Sequence, residues 1–140
     1  MIRKTLRDDM FAAIAAHPRF AGMTPRRAWA YASDRARLPA YGVSTPVTPS
    51  AQVAKDITER RPTVTITLRR AGGDDLEDVL DEDAEYLEFI GLTALGGEGF
   101  LVAEMTETRL SIDAQGDQRV GTLSLTFQAT IHTQTIYPEE

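Results

Sequence analysis

Apolar and polar residues repeat with two different periods along the chain, and these periods predict two helices and a set of strands. Near the N-terminus the apolar positions lie four residues apart, which is typical of the buried face of a helix; they are Leu6, Met10 and Ile14. We predict a helix over Leu6–Ala16, opened by a capping box that begins at Thr5 and ended at His17–Pro18.

The strand predictions depend on period-two alternation. Within Arg60–Arg70, threonine alternates with valine, isoleucine and leucine, which is typical of a half-buried strand. The longest alternation lies in Arg119–Thr133, and together with Phe100–Asp113 it predicts a long β-hairpin that turns at "AQGDQ". We also predict a strand over Arg37–Thr45 and a short extended segment over Arg26–Ser33.

One segment has no clear periodicity. Pro46–Glu59 contains two prolines and mostly polar residues, so we predict a long mobile loop there. At 140 residues the chain is expected to form a single domain over 1–140. The resulting fold class is α+β, with a mixed, mainly antiparallel sheet of four to five strands packed by two helices and ending in the long β-hairpin.

The second helix is predicted in an acidic segment, where nine of the fifteen residues Asp74–Glu88 are carboxylates. On a helical wheel of about 100° per residue, its apolar residues form one stripe and eight of the nine acids lie outside that stripe. Asp83 lies inside the stripe, so its charge must be paired, reach solvent or mark a break in the helix, because an unpaired buried carboxylate is costly. Phe89 and Leu92 fall opposite the stripe and are predicted to be exposed.

Charge is divided unevenly between the two halves of the chain. Residues 1–70 hold 13 basic and 5 acidic residues, and residues 71–140 hold 2 basic and 16 acidic residues. Such asymmetry indicates a partner or self-association. The acidic segment has three open interpretations: a catalytic or metal-binding cluster, a solvated helix face, and a surface for a basic partner. The candidate contact residues are Arg60, Arg61, Arg69, Arg70, Asp74, Asp75, Asp78, Asp81, Asp83, Phe89 and Leu92.

The residues favour few chemical functions. The absence of cysteine excludes disulfides, thiolate metal sites and thiol nucleophiles. The acidic segment lacks the calcium-loop pattern, and Asp74 and Asp75 occupy the helix start where a phosphate would bind. His17 and His132 lie far apart in sequence, and the arginines form scattered pairs in a chain of pI about 4.9. We therefore expect no enzyme, cofactor, metal site, specific nucleic-acid binding or membrane span.

The order of elements resembles the tail terminator proteins of long-tailed bacteriophages, the family of phage lambda's minor tail protein U. The resemblance is carried by "TLRDDMFAAIAAH" for the first helix, "LPAYGV" and "TVTITL" for the strands, one long helix, and "GTLSLTFQATIHT" for the last strand. It covers nearly the whole chain. The Gly-Gly turn at 72–73 and the density of the acidic helix depart from the lambda protein.

This resemblance implies a structural virion protein that forms a ring, typically a hexamer, on the end of the tail tube. The implied partners are other copies of the chain, the major tail tube protein and the head–tail connector protein. The implied location is the neck-proximal end of the virion tail, reached from the host cytoplasm. Two alternatives stay open: a head–tail connector or head-completion neck protein, and a small soluble adaptor without a virion role.

Overall fold

The computed structural model describes residues 2–26, 38–96, 102–115 and 118–134. Within these residues the chain has two helices and one mixed sheet of seven strands, which confirms the α+β class with more strands than predicted. The elements are α1 (Ile2–Ala16), β1 (Thr24–Arg26), β2 (Ala40–Ser44), β3 (Ser50–Ala54), β4 (Ile57–Arg60), β5 (Thr63–Gly72), α2 (Leu76–Gly96), β6 (Val102–Gln115) and β7 (Gln118–Gln134).

The sheet is organised around its longest strand, β7. On one side β7 pairs with β6 in the predicted terminal hairpin, and on the other side it pairs with β5 and then with β4. Strand β5 continues to β2 and β1, and β4 continues to β3. Only the β1–β2 pair is parallel among the described strands. The two outer edges of the sheet are therefore β6 on one side and β1 with β3 on the other.

Strands β4 and β5 follow β7 in one continuous register, so they behave as a single strand interrupted between Arg61 and Thr63. Strands β2 and β3 follow them on the far side. The Thr63 N–H donates to the Val47 carbonyl and the Arg61 N–H donates to the Pro49 carbonyl, both at 2.9 Å. The four strands thus form a second long hairpin, which turns between β3 and β4.

The prediction of a long loop over Pro46–Glu59 is therefore wrong, because this segment contains β3 and most of β4. All five side chains of β3 are exposed, and those of β4 are exposed or half-buried. A strand that buries neither face has no need for alternating apolar residues, so it has no period-two signal. We call this outer part of the sheet the arm: β3, β4 and residues 131–134 of β7.

Both helices contribute to a core on one face of the sheet. The alternating residues Val64, Ile66 and Leu68 of β5 are fully buried, as predicted. They are joined by apolar residues of α1, α2, β2 and β7, including Leu6, Met10, Ile14, Tyr41, Leu80, Leu87, Leu123, Leu125 and Phe127. At about 25 cal/mol per Å² of apolar area, this burial is the main stabilising term.

A glycine sets how closely α2 approaches the sheet. A Cβ atom on Gly91 would lie 2.5 Å from Cζ of Phe127, well inside van der Waals contact. A larger residue at this position would therefore force the Phe127 ring or helix α2 to shift.

Several predicted boundaries shift in the structure. Helix α1 begins at Ile2, so Thr5 lies inside the helix and does not cap it, although the helix does end at Ala16 as predicted. The strand predicted over Arg37–Thr45 is confirmed as β2, after a cis peptide bond between Leu38 and Pro39. The extended segment predicted over Arg26–Ser33 lies outside the described residues except for Arg26, which ends β1. No described helix is long and apolar enough to cross a membrane.

Candidate interaction surface

The outward side of α2 and the turn before it carries most of the acidic segment. Its seven exposed carboxylates, which we call the acidic face, are Asp74, Asp75, Glu77, Asp78, Asp81, Glu82 and Glu85. Glu82 contacts Arg19 at 3.2 Å, and Asp74 lies 4.0 Å from Arg119. The other five make no ion pair within the part of the chain that the structure describes.

The acidic face is therefore largely uncompensated. Carboxylates four residues apart on a helix repel each other by a few tenths of a kcal/mol per pair. Placing Glu77 and Asp78 in the first turn offsets part of this repulsion, because the helix dipole favours negative charge there. The arrangement weakens the isolated helix slightly, and a basic partner would relieve the repulsion.

Aromatic side chains border the acidic face. Phe89 is 70% exposed and Tyr86 is 44% exposed, so the prediction of an exposed Phe89 is confirmed. The same prediction for Leu92 is wrong, because Leu92 is half-buried and packs against the core. Leu95 is fully buried at about 100° from Leu76 on the wheel, so the buried side of α2 widens toward its C-terminal end and reaches Leu92.

Asp83 is the most deeply buried charge among the described residues, with 0% exposure. Its carboxylate accepts hydrogen bonds from two arginines: Arg19 Nε at 2.7 Å, Arg70 Nε at 2.5 Å and Arg70 Nη2 at 3.0 Å. Of the three outcomes left open by the sequence, the structure places Asp83 in a paired, buried site. Asp83 is therefore corrected from a contact residue to an internal one, because none of its surface is exposed, and its partner Arg70 keeps 21% of its side chain exposed.

Arg19 was not predicted to have a role. It lies in the turn after α1 and joins that turn to α2 through Asp83, through Glu82 and through the carbonyl of Val79 at 3.3 Å. Its guanidinium also lies 5.0 Å from the ring centroid of Tyr86, within cation–π range. Burial opposes the charged form, but the hydrogen bonds and charges of Asp83 and Glu82 prevail and raise the pKa of Arg19 above its ordinary value.

The four candidate arginines, Arg60, Arg61, Arg69 and Arg70, do not form one basic surface. In a strand, neighbouring residues point to opposite faces, so the pair Arg69–Arg70 is divided between the two sides of the sheet. Arg60 donates to Thr133 Oγ1 at 3.1 Å. Arg61 is about half exposed and contacts Glu59 at 3.1 Å. Opposite charges are thus intermingled here, and these arginines do not present a single surface that matches the acidic face.

Other sites offer little chemistry. Among the described residues, no group of three or more histidine, aspartate or glutamate side chains is arranged to hold a metal ion. A cavity of about 520 Å³ lies against α1, away from the acidic face, and is lined by Asp8, Phe11, Ala12, Ala15, Pro25 and Tyr41. A second one, of about 280 Å³, lies on the strands β5, β6 and β7.

No protein-family model matches this chain, and no curated protein matches it. The geometry of the acidic face is consequently the main guide to function. A rigid helix that presents fixed negative charge beside an exposed aromatic ring is suited to docking a basic surface.

Proposed function

We propose that this protein is a structural virion protein of the tail-terminator type, which assembles as a ring on the end of a phage tail tube. The order of elements supports this proposal: a helix, the "LPAYGV" strand, the "TVTITL" strand, one long helix and a terminal hairpin. Its partners would be further copies of the chain, the tail tube protein and the head–tail connector protein.

The acidic face beside Phe89 is the observation that carries this proposal. Five of its carboxylates lack an ion pair among the described residues, and an exposed aromatic ring lies next to them. Aromatic residues are enriched at protein interfaces, whereas a face that only promotes solubility needs no exposed phenylalanine. The acidic face therefore supports a contact with a basic partner.

A ring requires heterologous contacts, in which one patch of a subunit meets a different patch of the next. The acidic face lies on the helix layer, and an exposed arginine, Arg109, lies on β6 with 80% of its side chain accessible. Arg109 alternates with Leu110, which packs against the core, so it lies on the opposite face of the sheet. Arg109 contacts Glu107 of the same strand, so this face carries both signs of charge and differs from the acidic face.

Electrostatics would mainly orient the subunits. An exposed ion pair is worth about 0–1 kcal/mol, and charges are screened over about 8 Å at physiological ionic strength. Burial of Phe89 would add affinity to the contact at the acidic face, since buried aromatic side chains are enriched among the residues that contribute most to interfaces. Assembly is therefore expected to weaken as salt rises without being abolished.

The test measures assembly and tube capping together. Six copies of a 15.4 kDa chain have a mass of about 92 kDa by light scattering, and negative-stain images should show rings. Added to polymerising tail tube protein of the same virus, the protein should halt elongation and leave one capped end. Free elongation in its presence, with the protein bound only to the head connector, would instead support the neck-protein alternative.

A charge reversal isolates the acidic face. Asp78→Arg should raise the protein concentration needed for ring formation or capping tenfold or more, whereas Asp9→Arg should leave that concentration nearly unchanged. Both residues are exposed helix positions and both changes alter the net charge equally, but Asp9 lies on α1. Equal effects of the two variants would count against the acidic face as the contact.

A further inference from the structure

The sheet ends in two edges that face opposite sides of the molecule. Strand β6 forms one edge along its fourteen residues, and β3 forms the other edge in the arm. No described strand pairs with the outer side of β6 or of β3. Unpaired edges are templates for another strand, and natural proteins rarely leave a long one open.

The direction of the main-chain groups can be read from the pairing. Just before β3, the Pro49 carbonyl accepts from the Arg61 N–H, and within β3 Ala51 pairs with Glu59 in the same register. Hydrogen-bonded and non-hydrogen-bonded pairs alternate in an antiparallel ladder. Ser50 lies between the hydrogen-bonded residues Pro49 and Ala51, so its N–H and C=O point away from β4. The backbone of Ser50 thus faces the open edge.

The same reasoning locates the open groups of β6. Ala129 N–H donates to the Pro62 carbonyl, so the odd-numbered residues of β7 in this region face β5, and the even-numbered ones face β6. Thr108 is opposite Leu125, an odd-numbered residue. The N–H and C=O of Thr108 therefore point outward from β6.

We infer that β3 of one copy adds to the β6 edge of the next copy, so that the sheet continues from subunit to subunit. This inference deepens the proposed ring by naming its main contact. The two edges differ and lie on opposite sides of one sheet, which gives the head-to-tail contact that a ring needs. Main-chain hydrogen bonds would supply the pairing, as in strand addition by peptides.

Charge disfavours the pairing of two β6 edges. Between Val102 and Asp113, β6 carries three acids and one arginine, so two β6 edges would bring like charges together. Strand β3 has no charged residue. The bulge in β6 between Met105 and Glu107 also disfavours indiscriminate pairing along its whole length. A short neutral strand avoids both obstacles.

The arm also carries exposed apolar side chains that a neighbour would cover. Val47 just before β3, Val53 within it and Ile57 on β4 are 54%, 50% and 40% exposed. With the exposed Ala51 and Ala54 of β3, these residues give the proposed contact strand and its surroundings an exposed apolar surface. Their burial would add apolar contact to the main-chain pairing.

Two proline substitutions test the inference. Ser50→Pro removes the outward donor of β3, and Thr108→Pro removes one from β6; both sites are edge positions where proline breaks no internal ladder bond. The matched controls Ser50→Ala and Thr108→Val keep the N–H groups. Unchanged circular dichroism and melting of all four variants would show that the fold is intact. Each proline variant should be monomeric at concentrations where the wild type and both controls assemble.

Mixing the two proline variants is the decisive step. Ser50→Pro keeps a working β6 edge and Thr108→Pro keeps a working β3 edge, so their mixture should form a dimer of about 31 kDa and nothing larger. A wild-type protein that stays monomeric, proline variants that still assemble, or a mixture that stays monomeric would each overturn the inference. If the wild type assembles by these edges into open chains that do not cap tubes, the edge pairing stands and the proposed function fails.

Discussion

Replacing Asp83 by asparagine keeps the shape of the side chain and removes its charge. In the folded protein this carboxylate accepts three hydrogen bonds from Arg19 and Arg70 while being fully inaccessible to solvent. Asparagine can accept only through its single oxygen, and its NH₂ group would face guanidinium donors. The substitution therefore leaves two arginines short of their partner in a partly buried site.

The magnitude follows from the geometry. Removing one partner of a buried ion pair costs about 3–5 kcal/mol, and a hydrogen bond to a charged group contributes about 1.5–3 kcal/mol. The two arginine side chains retain 23% and 21% exposure, so water can partly replace the lost carboxylate. We expect a loss of about 2–4 kcal/mol in the free energy of unfolding, and a fall in Tm of roughly 10 °C.

Urea unfolding and calorimetry of Asp83→Asn and Asp81→Asn would measure the effect. Asp81 is an exposed member of the acidic face without an ion pair among the described residues, so its substitution should change stability by less than about 0.5 kcal/mol. A double-mutant cycle with Arg19→Met would isolate the coupling between Asp83 and the turn after α1. If Asp83→Asn matched Asp81→Asn, the buried carboxylate would not stabilise the fold and the reasoning would be refuted.

Three further changes test other parts of the structure. Gly91→Ala should destabilise the protein by about 1–3 kcal/mol in urea unfolding, because its Cβ would collide with Phe127, whereas Gly96→Ala meets nothing within 4 Å and should be neutral or stabilising. Burial raises the pKa of Tyr41 above that of an unfolded tyrosine, which ionises near pH 10. The free energy of unfolding is therefore unaffected by the ionisation of Tyr41 below pH 10 and falls as the pH rises above 10, by up to about 1.4 kcal/mol per pH unit. In Tyr41→Phe the free energy of unfolding should fall less steeply at alkaline pH. Phe89→Ala should leave Tm within a few degrees of the wild type and weaken assembly in light scattering, and unchanged assembly would remove Phe89 from the interface.

The elements that bury one face could be predicted from the sequence. The period of four in α1, the alternation in β5 and β7, and the apolar stripe of α2 all follow from covering a single core. Asp83 could be identified as an exception to the stripe, because a charge within an apolar stripe has to find a partner. Its partner Arg19 could not, since no local spacing links a turn to a helix 64 residues away.

Other features escaped prediction because no burial pattern marks them. The side chains of the arm are exposed or half-buried on both faces, so its sequence lacks the alternation of apolar and polar residues that would distinguish its strands from a loop. An ideal wheel gives the buried stripe a constant width and so predicts an exposed Leu92, whereas Leu95 extends that stripe in the folded protein. Adjacent arginines such as Arg69 and Arg70 are candidates for one contact surface by their proximity in sequence, but neighbouring residues of a pleated strand point in opposite directions.

The length of β7 has a consequence for the shape of the molecule. Seventeen residues at about 3.3 Å each extend over roughly 55 Å, whereas a compact chain of 140 residues has a radius of gyration of only about 14 Å. A sphere with this radius of gyration is about 37 Å across, so β7 is longer than a compact globule is wide, and its residues 131–134 in the arm lie outside the core. Because residues 131–134 in the arm and the part of β7 under α2 belong to the same strand, a force applied to the arm is transmitted along β7 to the helix layer.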